Sequence, residues 1–158
     1  MQIFLKKLSI LWLILVISAC GFQLRGNIQA NFDSISISGG TSSFNKTLQR
    51  KFRQAGITIK SASEAEKIVQ IIKNDFTKTI LTLTGTGLVS EYQLDYTVSY
   101  RFKSKGGSWN QPLTIEASRT YTYDDSDILA KDEEEKRLLS GMEDQLIKTM
   151  ATQISLSK

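Results

Sequence analysis

The chain has 158 residues, with 20 Lys and Arg against 16 Asp and Glu, one proline, one cysteine and no histidine, a size that suits one domain. Its 41% hydrophobic and 23% charged residues exclude collagenous, low-complexity and many-spanning membrane chains. Without imidazole there is no Ser-His-Asp or Cys-His catalytic pair and no histidine-bearing zinc site, and a lone cysteine makes neither an internal disulfide nor a CxxC motif, so no metal or cofactor is expected.

At the N-terminus, Lys6 and Lys7 precede a mostly apolar run from Leu8 to Ala19 that ends at Cys20. A charged stretch before a short apolar core is the pattern of an export signal, and this core reaches only ~18 Å of a ~30 Å bilayer. Ile17-Ser18-Ala19-Cys20 resembles the bacterial lipobox, with small residues that let a peptidase approach the backbone. Residues 1–19 are therefore expected to be a lipoprotein signal peptide, and 20–158 a single domain anchored through lipid on Cys20. Each buried CH₂ of the acyl chains contributes ~0.8 kcal/mol, enough for permanent anchoring by three chains. Gly21, a residue other than Asp after the cysteine, points by the bacterial sorting rule to the outer membrane. Without its signal the chain keeps 139 residues, 18 basic and 16 acidic, so nucleic acid is not an expected partner.

In the mature chain, Ile35-Ser36-Ile37 alternates as a first strand closed by Gly39-Gly40. Phe44, Leu48, Phe52 and Ala55 then share one helical face, capped by Ser42 or Ser43 and stopped by Gly56. Ile57-Thr58-Ile59 reads as a short strand or an extended link. Residues 68–84 are rich in Ile, Val, Leu and Thr around Asn74-Asp75, which predicts a long strand with a bend or bulge, turned by Gly85-Thr86-Gly87. Tyr92, Leu94, Tyr96, Val98, Tyr100 and Phe102 alternate with polar residues from Glu91 to Lys103, and Leu113 to Tyr123 alternate as the return strand of a hairpin. One face must pack on helices, because burying the unpaired charges of the other would cost several kcal/mol each. A last helix carries Leu138, Leu139, Met142, Leu146, Met150 and Ile154 as its stripe, and its acidic start, Asp132 to Glu135, suits the helix dipole. The expected fold is α+β: a two-layer sandwich with a four-stranded, mostly antiparallel sheet and two helices packed on one face.

Four segments in this order carry a family resemblance: Cys20-Gly21-Phe22-Gln23-Leu24-Arg25-Gly26, Ser90-Glu91-Tyr92-Gln93-Leu94, Arg119-Thr120-Tyr121-Thr122-Tyr123 and Leu129-Ala130-Lys131-Asp132-Glu133-Glu134. With the lipobox in front, the chain resembles the LptE family of LPS-assembly lipoproteins of Gram-negative bacteria. The resemblance implies a non-enzymatic lipoprotein of the outer membrane that plugs an LptD-type β-barrel LPS transporter, helps the barrel assemble and contacts LPS. It also makes Lys131 the candidate for an LPS anion, although a surface lysine there would ordinarily pair with Glu135 at i+4. Family members can carry a basic residue in the turn before the Glu-Tyr-Gln strand, whereas this chain has Gly85-Thr86-Gly87-Leu88-Val89.

A barrel lumen is polar and wet, so Glu91, Arg101, Lys103 and Lys105 are candidates to face the partner. Ordinary solvent would suit the same face. The rival reading is a stand-alone periplasmic lipoprotein that binds a small apolar ligand between sheet and helices. A hydrolase is disfavoured because no GxSxG occurs and the dipole explains the carboxylate cluster.

Overall fold

Serines at 34, 36 and 38 alternate with Ile35 and Ile37, so one side of β1 (Ser34–Gly39) is apolar and the other hydroxylated. In this computed structural model, which describes residue 28 and residues 30–156, the chain continues through α1 (Ser42–Gln54), β2 (Thr58–Ile59), β3 (Lys67–Leu83), β4 (Val89–Ser104), β5 (Leu113–Thr122), a short 3₁₀ turn (Asp125–Asp127) and α2 (Ile128–Leu156). The expected signal peptide, Cys20 and the Cys20–Gly26 segment lie outside the described residues.

The sheet differs from the expected four-stranded, mostly antiparallel one. It has five strands, in the order β2-β1-β3-β4-β5. β1 runs parallel to both β2 and β3, and the other pairs are antiparallel. The reason is connectivity, because a helix that joins two neighbouring strands brings the chain back to the same end of the sheet and makes them parallel. At two residues, β2 is also too short to show a period. It is held by the Thr58 N–H donating to Asp33 O (2.9 Å) and the Lys60 N–H to Ile35 O (3.0 Å).

Both helices cover one face. α1 buries Phe44, Leu48 and Phe52, and α2 buries Met142, Leu146, Ile147, Met150, Ala151 and Ile154. They close on Ile35, Val69, Ile71, Leu94, Tyr96, Val98, Tyr100, Phe102, Ile115, Ala117 and Tyr121 as a single core, so the predicted apolar side of β4 is the helix side. Tyr100 brings a hydroxyl into this core and donates it to Gln153.

Three local expectations change. Thr41, rather than Ser42 or Ser43, caps α1, its hydroxyl accepting from the Phe44 N–H at 3.4 Å. The bulges of β3 fall at Ile72 and Leu81, whereas Asn74 and Asp75 keep regular register with Val98 and Thr97. The extra residue at Ile72 moves the even-numbered positions to the helix side, so Phe76 packs edge-on to Tyr96. Finally, α2 begins at Ile128 rather than Asp132, because Asp124 accepts from the Ser126 N–H (2.9 Å) and starts the 3₁₀ turn that runs straight into the helix. The acidic run therefore lies past the first turn, beyond most of the dipole's reach. Ion pairs use it instead: Asp132 and Glu133 hold Lys136 (2.7 and 3.0 Å), Glu134 holds Lys131, and Glu135 holds Lys78.

Candidate functional site

β3 and β4 outrun the rest of the sheet. β1 stops pairing with β3 at Ile71, while the β3–β4 hairpin continues to Leu83 and Val89. Its far part leaves Ile80, Leu81, Leu83 and Leu88 exposed, as are Ile128 and Leu129 at the start of α2. Among the described residues no helix is long and apolar enough to cross a membrane, so this apolar surface belongs to a hairpin tip and a helix end.

One polar cluster pins the hairpin to α2. The Lys78 ammonium lies 2.5 Å from Glu135 and 4.2 Å from the centroid of the Tyr92 ring, while the Tyr121 hydroxyl donates to the same carboxylate at 2.6 Å. Burial works against the charge on Lys78, but the bonds to Glu135 and Tyr121 outweigh it and raise its pKa above the ordinary lysine value. Burial likewise works against ionised Glu135, yet Lys78 and Tyr121 hold its pKa below the ordinary carboxylate range. Both groups stay charged at neutral pH, and the cation–π contact adds to the pair.

Lys131 lies next to this cluster but is not free. Its ammonium pairs with Glu134 at 2.9 Å, not with Glu135, which Lys78 has claimed, and it reaches the Thr122 hydroxyl at 3.5 Å. Only 19% of its side chain is exposed. An incoming anion must therefore compete with Glu134.

The four candidate partner-facing residues do not form one cluster. Glu91 is at the hairpin end, accepting from the Thr82 hydroxyl at 2.7 Å and paired in register with Thr122. Arg101 lies ten residues further along β4, about 33 Å away at ~3.3 Å per residue. There its Nε donates to Gln70 (2.8 Å) and its guanidinium sits 4.7 Å from the Trp109 ring centroid, with the Lys103 ammonium 5.1 Å from that same ring. Lys105 is exposed in the following turn. The sequence reading overlooked Trp109, whose only available signal was an aromatic residue in a Gly- and Ser-rich turn. Between these ends the outer face is a ladder of hydroxyls and amides: Ser99 with Thr114 (2.9 Å), Ser118 with Asp95 (2.7 Å) and Gln93 with Asp95 (2.9 Å).

Among the described residues no group of three or more Cys, Asp or Glu is placed to hold a metal ion. A Ser-x-x-Lys spacing occurs at Ser43 and Lys46, but both residues are exposed on the first turns of α1. A cleft between α1 and α2, lined by Lys51, Ala55, Asp144 and Ile147 among others, holds about 70 Å³, well under the ~300 Å³ at which small-molecule pockets begin.

A family model described as lipopolysaccharide-assembly, LptE, matches residues 32–154. No curated protein matches the sequence. Among solved structures, an uncharacterized lipoprotein B from Nitrosomonas europaea is 27% identical with a TM-score of 0.70, covering 85% of this chain and 90% of its own. The rare lipoprotein B from Shewanella oneidensis is 26% identical with a TM-score of 0.63, covering 76% and 95%. A minor lipoprotein from Acinetobacter baumannii shares the fold at 20% identity and a TM-score of 0.62, covering 80% and 93%.

Proposed function

The chain belongs to the LptE lipopolysaccharide-assembly family, and on that premise we propose that it is an outer-membrane lipoprotein, anchored through Cys20, that plugs an LptD-type β-barrel, assists its assembly and helps pass LPS to the outer leaflet. The observation that carries this reading is the family match over nearly the whole described domain. The polar outer face of the sheet supports it, because a plug must present hydroxyl and charged groups to a wet lumen while its core stays closed on the helix side. The lipobox and the two lipoprotein B structures are consistent with the anchor. The rival reading as a stand-alone lipid carrier would require a roomy pocket between sheet and helices; the cleft between α1 and α2, at about 70 Å³, is not such a pocket.

Purification of the tagged chain from its membrane in mild detergent tests the proposal. The expected result is a one-to-one complex with a large β-barrel identified by mass spectrometry. A monomer carrying bound lipid would favour the rival.

Lys131 is the proposed LPS contact. Lys131→Asp is expected to weaken LPS binding about fivefold, the equivalent of ~1 kcal/mol for one phosphate contact made in competition with Glu134, and more at low salt. Glu134→Gln, which frees the ammonium, is expected to strengthen binding. Titration of purified LPS at low ionic strength reads both, and equal affinities for Lys131→Asp and the unsubstituted protein would remove Lys131 from the site.

A further inference from the structure

The hairpin that extends past β1 leaves a vacancy in the sheet. After Gly39 the chain turns away into α1, and the Asn74 side chain closes that corner by accepting from the Thr41 N–H (2.8 Å) and donating to the Thr41 hydroxyl (2.9 Å). From Asp75 to Leu83, β3 is paired with β4 alone, and among the described residues no other backbone group bonds to its outer edge. The gap continues the line of β1 for nine residues of β3, about 30 Å at ~3.3 Å per residue. Alternate residues of such an edge present free N–H and C=O groups, a ready template for one more strand.

We infer that this edge of β3 receives an extended, uncharged segment of the barrel partner as an added strand; the inference rests on the plug reading above. Natural edges are guarded by proline, by bulges or by lysines. This stretch has no proline, and its bulges stand at Ile72 and Leu81, which leaves Lys73 to Ile80 in regular register with β4. Its charges are balanced by ion pairs that leave each ammonium charged in place, Lys78 with Glu135 (2.5 Å) and, just before the stretch, Lys73 with Asp75 (3.0 Å). The edge thus offers no net charge to a phosphate or an acidic peptide and suits a neutral strand. Its two sides also differ. On the helix side Phe76 and Ile80 are 38% and 56% exposed, and on the outer side stand Thr77 and Thr79. The matching segment alternates apolar and polar residues.

A second copy of this chain fits less well. Antiparallel pairing of the edge with itself sets even-numbered residues against even-numbered ones, and the register that places Phe76 against Ile80 places Lys78 directly against Lys78. Like charges directly opposite destabilise such a pair.

The test installs the photo-crosslinking residue p-benzoylphenylalanine at Thr77 or Thr79 of the full-length lipoprotein in its own membrane, with adducts identified by mass spectrometry. Adducts to the barrel chain are expected from both positions. In Ile80→Lys, which places an extra charge on the helix side of the edge, they should fall about tenfold while the melting temperature is unchanged. If the barrel copurifies but neither position crosslinks to it, or if adducts form only with a second copy, the edge proposal fails and the plug reading stands. If no barrel copurifies with the unsubstituted chain, the plug reading fails and takes this proposal with it.

Discussion

Gly39→Ala is expected to destabilise the protein by roughly 3–5 kcal/mol, a large part of the 5–15 kcal/mol by which domains are usually stable. Two costs combine at this residue. Its φ of +76° lies in the left-handed region, where a Cβ costs roughly 1–2 kcal/mol. An alanine Cβ would also stand 2.1 Å from the carbonyl oxygen of Ile71, a backbone atom that cannot swing aside. Relief requires β1 to separate from β3 at the Gly39–Ile71 pair, which unseats the cap of α1. Gly56→Ala is the control: its φ is +84° but nothing lies within 4 Å of the added carbon, so only the conformational cost remains, roughly 1–2 kcal/mol. Urea midpoints of the two variants measure the difference, and equal midpoints would show that the close approach of β1 to β3 carries no weight.

Lys78→Met is expected to cost about 1–2 kcal/mol. Breaking a fully buried pair costs about 3–5 kcal/mol, and the figure is reduced here because the Lys78 and Glu135 side chains keep 32% and 19% of their exposure. Methionine keeps the stem over Tyr92 but leaves the Glu135 carboxylate with only the Tyr121 hydroxyl. The loss should be local. The amides between Phe76 and Leu83 that bond to β4 should exchange about tenfold faster, the equivalent of ~1.4 kcal/mol of local opening, while those of Val69 and Ile71 change little. The pH dependence follows from the two shifts. Glu135 is depressed below the ordinary 4.5 when folded, so its share of the stability is present above that value and lost as pH falls through the folded pKa. Lys78 is raised, so its share is complete below 10.5 and lost only in strong base. The gap between variant and unsubstituted protein should therefore be flat across neutral pH and shrink in acid below about 4.5. A gap independent of pH down to full protonation would mean that the hairpin is held by packing alone.

The legible parts of this fold were those in which one face is buried and the other wet. β4 shows period two across its length because Leu94 to Phe102 are buried on alternate positions, and the stripes of α1 and α2 stand out for the same reason. The first turns of α2 were invisible because Ile128 and Leu129 are 58% and 83% exposed and extend no stripe. Parallel pairing was readable in principle from a strand, a helix and a strand in succession, but at two residues β2 left its segment equally readable as a strand or an extended link. The candidate site was harder. Lys78 and Glu135 stand 57 residues apart, and no local pattern predicts that Glu135 is already taken and that Lys131 must turn to Glu134. Nor does spacing along a strand reveal that Trp109 folds back over Arg101 and Lys103.

The ladder order also carries a schedule. β3 and β4 are joined by residues 84–88, whereas β1 reaches β3 only across residues 40–66, and closing the longer connection costs about 1.5 kcal/mol more in chain entropy. The β3–β4–β5 meander is thus expected to zip up before β1 finds its place, so that the N-terminal strand is the last to join. Pulse-labelled exchange during refolding should protect β4 and β5 amides ahead of those in β1, and simultaneous protection would mean that both halves condense together. Until β1 arrives, β3 is bare along its whole outer edge, so the folding chain carries its longest strand unshielded for the whole interval.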